Sequence, residues 1–63
     1  MATTELTTAN FDGVTSADGI VLVDFWASWC GPCLRFAPTY ERVSEKHEDI
    51  VFGKVDTEAQ VEL

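Results

Sequence analysis

Two runs of the chain are almost continuously apolar, and a stretch with helical spacing lies between them. Ile20-Val21-Leu22-Val23-Asp24-Phe25-Trp26 and Ile50-Val51-Phe52-Gly53-Lys54-Val55 each carry a single charged residue. Apolar runs of this length, rich in β-branched residues, have the pattern of strands buried on both faces in a parallel sheet. Between them, from about Cys33 to His47, the residues Cys33, Phe36, Ala37, Tyr40, Val43 and His47 recur at helical spacing. They predict one amphipathic stripe, with Arg35, Glu41, Arg42, Glu45 and Glu48 mainly off it. Strand, helix and strand make a βαβ unit with parallel strands and a right-handed crossover.

Weaker signals flank this unit. Thr3 to Leu6 predicts a short edge strand. Thr7 or Thr8 can cap a short helix in which Phe11 and Val14 share a face. Ser16-Ala17-Asp18-Gly19 is a turn. Pro32 suits the first turn of the long helix, and Pro38, inside it, deletes a backbone bond and predicts a kink. Lys46 and His47 lie near its C-terminal end, where positive charge is favoured. Asp56 or Thr57 then opens a further helix, because Thr57-Glu58-Ala59-Gln60 has capping-box spacing. The fold class is therefore α/β, ordered β-α-β-α-β, plus the start of a third helix.

Length and charge narrow the function. Sixty-three residues allow one small domain with a marginal core. Four basic residues against 11 acidic ones give a formal charge of −7. That balance argues against a nucleic-acid backbone or an anionic membrane surface as partner, since both demand a basic patch. No stretch is long and apolar enough to span a bilayer. Met1-Ala2-Thr3-Thr4-Glu5 lacks the basic and apolar regions of a secretory signal. The expected compartment is a reducing cytoplasm, where a cysteine pair is catalytic or metal-binding rather than structural.

Both cysteines, Cys30 and Cys33, stand where the first apolar run hands over to the long helix. They are too close in sequence to staple a fold, because the loop they close is tiny. Cys30 falls at the mouth of the helix, where unpaired N–H groups and the positive dipole end favour a thiolate. Cys33 falls one turn inside, near enough to resolve a mixed disulfide formed on Cys30. Gly31 and Pro32 between them put no bulky or charged side chain over the sulfurs. Zinc is the rival reading, but a closed site takes four ligands and this chain offers one Cys-x-x-Cys and one histidine, unless two chains pool their cysteines. Asp24, in the middle of an apolar strand, is costly to bury charged, so burial there favours its neutral form; an Asp exposed at the rim of the sheet is the plainer alternative. Trp26 and Trp29 supply apolar cover or a binding surface. Phe36 and Tyr40 are expected in the core, and His47 in solvent.

Val21-Leu22-Val23-Asp24-Phe25-Trp26-Ala27-Ser28-Trp29-Cys30-Gly31-Pro32-Cys33 resembles the active-site stretch of the thioredoxin family. Pro38, five residues after Cys33, strengthens the resemblance, which runs from the Phe11 helix to Asp56. Leu34-Arg35 departs from it, since many members place a basic residue directly after the second cysteine. The resemblance implies a thiol–disulfide oxidoreductase that reduces protein disulfides, keeps cellular thiols reduced and carries electrons as a dithiol. Cys30 would be its nucleophile and Cys33 its resolving thiol. Asp24 would act as a proton relay beneath Cys33, and Lys54 would modulate Asp24. Trp29, Gly31 and Pro32 would meet substrate. Disulfide-containing proteins and a thioredoxin reductase are the implied partners. The chain itself shows no cofactor motif.

Residues 1–63 match the N-terminal portion of such a domain. The C-terminal strands, the cis-proline loop and the last helix of the family have no counterpart here. This implies an open sheet edge through which the chain could self-associate, exchange segments or accept a partner. A fragment that needs such completion, and a non-catalytic binding module of the same fold, are therefore the alternatives to a working enzyme.

Overall fold

A computed structural model of the protein describes residues 2–63; Met1, the first residue of the expected 1–63 domain, lies outside the described residues. Five elements follow in the order β1 (Thr3–Glu5), α1 (Phe11–Thr15), β2 (Ile20–Trp26), α2 (Gly31–Lys46) and β3 (Ile50–Asp56). All strand pairs are parallel, and the sheet order is β1-β3-β2. Val23 pairs with Gly53 and Asp24 with Lys54 across β2 and β3, while Thr3 pairs with Phe52 and Glu5 with Lys54 across β1 and β3. Parallel strands require a crossover, and α2 supplies it between β2 and β3.

The sheet order corrects one expectation. The two apolar runs look alike, but only β3 is central; Phe52 and Val55 are buried on it, and Gly53 is buried beneath Leu6. β2 pairs on one side only among the described residues, and Ile20, Leu22 and Phe25 on it are exposed, Phe25 by 49%. β2 is thus not buried on both faces.

The rotation of α2 corrects a second expectation. Its buried residues are Tyr40 and Ser44, with Cys33 and Ala37 partly buried on the same side. Phe36 is 47% exposed and Val43 is also exposed, so neither is core. The helix leans on the narrow middle strand: Tyr40 meets Phe52 edge-on, with ring centroids 5.4 Å apart. Ser44 tolerates burial because its hydroxyl donates to the Glu41 carbonyl at 2.6 Å. Pro38 sits within this single helical span. His47 ends the helix and is exposed, as expected.

Two termini also differ from expectation. Before α1, Thr7 does not cap the helix. Thr7 N–H donates to Asn10 Oδ1 (2.7 Å) and Asn10 Nδ2 donates to the Glu5 carbonyl (3.0 Å), making a turn that delays α1 to Phe11. After β3, the third helix is present only as hydrogen-bonded turns. Asp56, not Thr57, organises them. Its Oδ1 accepts from the N–H of Glu58 (3.0 Å) and of Ala59 (3.4 Å), and its carbonyl accepts from Gln60 N–H. Thr57 instead donates from its N–H and its hydroxyl to the Trp26 carbonyl. Those bonds pin the end of β2, where the cysteine loop begins.

Candidate active site

The loop from β2 to α2 is held at several points. Ala27 is buried, and its carbonyl accepts from Cys30 N–H at 3.1 Å. Ser28 Oγ donates to Glu58 Oε1 at 2.9 Å, tying the loop to the turns after β3. The chain then enters α2 with Cys30 at the N-cap in extended conformation and Pro32 in the first turn. Here sulfur does what a hydroxyl or carboxylate oxygen does at other helix starts: Cys30 Sγ accepts from Cys33 N–H at 3.3 Å. Cys30 and Cys33 are joined by a disulfide, with Cα atoms 5.3 Å apart.

The cysteines do not differ simply in exposure, since both are partly buried. They differ in what lies behind them. Cys33 lines a cavity of about 230 Å³ together with Asp24, Trp26, Leu34, Ala37 and Lys54. Cys30 is not among its walls. Trp29 stands out from the surface beside Cys30, 75% exposed, and Gly31 and Pro32 form the first turn over the disulfide.

Asp24 is the fifth residue of the seven in β2, and its Oδ2 is buried with no hydrogen-bond partner. Lys54 is its in-register neighbour, yet the lysine Nζ lies 5.4 Å from the centroid of the Trp26 ring, as a cation–π contact. Asp24, Lys54 and Cys33 are therefore brought to one cavity, with the lysine turned onto the indole.

Tyr40 is a neighbour whose polar role the helical stripe could not reveal. Its hydroxyl is in reach of the Gly53 carbonyl at 2.7 Å and of the Leu22 carbonyl at 3.2 Å, and so joins β3 to β2 just before Lys54 and Asp24. Burial pushes the phenol from 10.0 to about 12, and the negative charge of Asp24 adds to the rise. Glu41 is the other overlooked group. It accepts from the Thr3 hydroxyl at 2.6 Å through Oε1, while its Oε2 is buried without a partner. Only the packing of α2 against the three strands reveals these neighbours. Among the described residues, no group of three or more His, Cys, Asp or Glu side chains could hold a metal, and no helix is long and apolar enough to cross a membrane.

A Cys-x-x-Cys disulfide capping a helix that follows a parallel strand, with a buried carboxyl behind it, defines a class of α/β proteins. The comparisons with known proteins narrow that class. The thioredoxin family profile matches residues 2–63. A thioredoxin-family relative from Streptomyces coelicolor is 58% identical over 62 residues, covering 98% of this chain and 46% of the relative. Thioredoxin 1 of Plasmodium falciparum is 47% identical over 55 residues, covering 87% of this chain and 53% of the relative. Among solved structures, the thioredoxin of Malassezia sympodialis superposes with a TM-score of 0.88 at 34% identity, covering 98% of this chain and 58% of that one. This chain belongs to the thioredoxin family. It spans about half the length of the curated relatives it matches.

Proposed function

We propose that the protein is a thiol–disulfide oxidoreductase that reduces protein disulfides by exchange at Cys30 and Cys33. The observation that carries this reading is the Cys30–Cys33 disulfide at the N-terminus of α2, with Cys33 N–H donating to Cys30 Sγ. In the dithiol form the same N–H and the helix dipole favour a thiolate on Cys30. That thiolate attacks one sulfur of a substrate disulfide, and the other substrate sulfur leaves as a thiolate. Cys33, deprotonated, then attacks Cys30 Sγ. The second substrate sulfur leaves, and the Cys30–Cys33 disulfide forms. Two electrons pass from the dithiol to the substrate.

In this reading Asp24 takes the Cys33 proton, which is supported by their lining one cavity and by an Oδ2 with no hydrogen-bond partner. Lys54, from the same cavity, modulates that carboxyl. Trp29, Gly31 and Pro32 form the surface that substrate meets. Recharging falls to a thioredoxin reductase in a reducing cytoplasm. One similar solved structure is a complex of thioredoxin f2 with ferredoxin:thioredoxin reductase, at 38% identity and TM-score 0.81.

Reduction of insulin disulfides by dithiothreitol, followed as turbidity, tests the reading. The protein should accelerate it, and Cys30→Ser should abolish the acceleration. Cys33→Ser should trap a mixed disulfide on Cys30. No acceleration by a folded, fully reduced protein would refute it. That result favours a second reading, binding without catalysis or completion by a partner or second copy. The exposed Ile20, Leu22 and Phe25 on the edge strand β2 speak for it. Sedimentation of the free chain as a dimer would support the completed assembly.

A further inference from the structure

The approach to the cysteines is tied to the turns after β3 by hydrogen bonds from two neighbouring residues. The N–H and the hydroxyl of Thr57 both donate to the Trp26 carbonyl, at 2.9 and 3.1 Å, and Ser28 Oγ donates to Glu58 Oε1 at 2.9 Å. The segment that receives the loop is itself held. Asp56 Oδ1 accepts from Glu58 N–H at 3.0 Å, and Gln60 Oε1 accepts from Thr8 N–H at 3.0 Å, on the stretch before α1. Glu58 therefore stands on a backbone braced from both ends. On the other side of the cysteines the support is α2. Leu34 N–H donates to the Cys30 carbonyl at 3.1 Å, and Cys33 N–H donates to Cys30 Sγ at 3.3 Å. Trp29, between Ser28 and Cys30, is 75% exposed and packs the loop little. Among the described residues, Ser28 is the last position before Cys30 with a hydrogen bond to the turns after β3.

We propose that Ser28 and Glu58 are positioning residues for the Cys30–Cys33 couple, their bond holding the Cys30 end of the loop ready for ring closure. This rests on the exchange reading of the cysteines given above. The two side chains act through the backbone of the loop. Closing the disulfide fixes Cys30 against Cys33 and takes conformational freedom from the dithiol. Cys33 lies within α2, so the helix restrains it. A loop held at Ser28 has less freedom left to lose on the Cys30 side, and closure is favoured. Loosening the loop adds more conformations to the dithiol than to the disulfide, and so shifts the couple toward the dithiol. Ser28 and Glu58 are both exposed, so their bond is a small part of the stability of the whole chain. Its effect falls on the difference between the two redox forms.

The test is equilibration of the full chain with glutathione near neutral pH. The dithiol and oxidised glutathione give the Cys30–Cys33 disulfide and two molecules of reduced glutathione, so two electrons pass to glutathione. Acid quenching, alkylation of free thiols and intact mass read the ratio of the two forms. Ser28→Ala and Glu58→Ala should each shift the equilibrium constant about threefold toward the dithiol, the size of one exposed hydrogen bond. The double variant should shift it no further than either single one, because one bond is lost in all three. Ser28→Thr keeps a hydroxyl and Glu58→Gln keeps an acceptor, so both should lie near the parent value. An unshifted constant in the two alanine variants overturns the proposal. Additive shifts in the double variant also overturn it, since the side chains would then act independently. So does a Glu58→Gln shift equal to that of Glu58→Ala, which assigns the effect to charge. If Glu58→Ala does not fold in the oxidised form, Ser28→Ala with its Ser28→Thr rescue carries the test. The exchange reading is judged separately: failure to accelerate insulin reduction refutes it, and the glutathione constants still stand.

Discussion

Tyr40→Phe removes one oxygen atom and leaves the ring that packs on Phe52. The phenol is the only one in the chain, is 7% exposed, and donates to carbonyls of two strands. Near neutral pH, losing a buried hydrogen bond of this kind costs about 1–2 kcal/mol, because the Gly53 carbonyl keeps its desolvation penalty without its partner. The second consequence appears only in alkali. The folded phenol titrates at about 12 against 10.0 for an ordinary tyrosine. Between those values the unfolded chain has lost the proton that the folded chain still holds. Folding is therefore penalised progressively as pH rises from 10 toward 12, and below 10 the contribution is complete. The gap between the folded and unfolded phenol corresponds to about 2–3 kcal/mol. For a marginal small domain that is a large fraction of the total.

The sole tyrosine makes the assay direct. Absorbance near 295 nm follows tyrosinate in the oxidised protein, and urea unfolding by circular dichroism gives stability across the same pH range. The parent should ionise near pH 12 when folded and near 10 in urea, and should lose stability in that window. Tyr40→Phe should start lower and lack that share of the alkaline loss. A folded phenol that ionises near 10, or equal alkaline losses in the two proteins, would refute the placement of Tyr40 beneath the sheet.

Two further substitutions probe the supports of the site. Gly53→Ala would put a Cβ 2.5 Å from Leu6 Cδ1, and Leu6 is fully buried, so overpacking should cost about 1–3 kcal/mol in urea unfolding; a neutral result would show that Leu6 has room to turn. Asp56→Ala deletes the acceptor for two N–H groups and should lower stability by about 1 kcal/mol. Amide exchange should speed up at Glu58 and Ala59 ahead of the strands. Unchanged exchange there would show that the turns are held from elsewhere.

What was legible in the sequence was local. An apolar run marks a strand, a stripe at helical spacing marks a helix, and a cysteine at their junction marks the N-terminus of α2. Each depends on residues a few positions apart. What was not legible depends on which strand takes the middle of the sheet. Ile20–Trp26 and Ile50–Asp56 have the same composition pattern, and nothing within either run says that β1 will add beside β3. Once it does, the consequences propagate. β3 becomes central, and β2 keeps Ile20, Leu22 and Phe25 at the surface. α2 turns Tyr40 and Ser44 inward and leaves Phe36 outside, against the order of hydrophobicity. Ser44 could not be picked as a buried residue because its hydroxyl is satisfied by a carbonyl three residues back, a bond invisible to a hydropathy pattern.

The same pairing decides the chemistry behind the cysteines. Asp24 and Lys54 stand 30 positions apart, and a slip of one residue in the β2–β3 register would send one of them to the opposite face of the sheet. Tyr40, reaching the carbonyls of Leu22 and Gly53, braces that register one and two residues before the charged pair. The buried phenol and the carboxyl whose Oδ2 is buried behind the cysteines are thus parts of one structure. A substitution that loosens the first should also loosen the strand pairing that keeps the second on this face of the sheet.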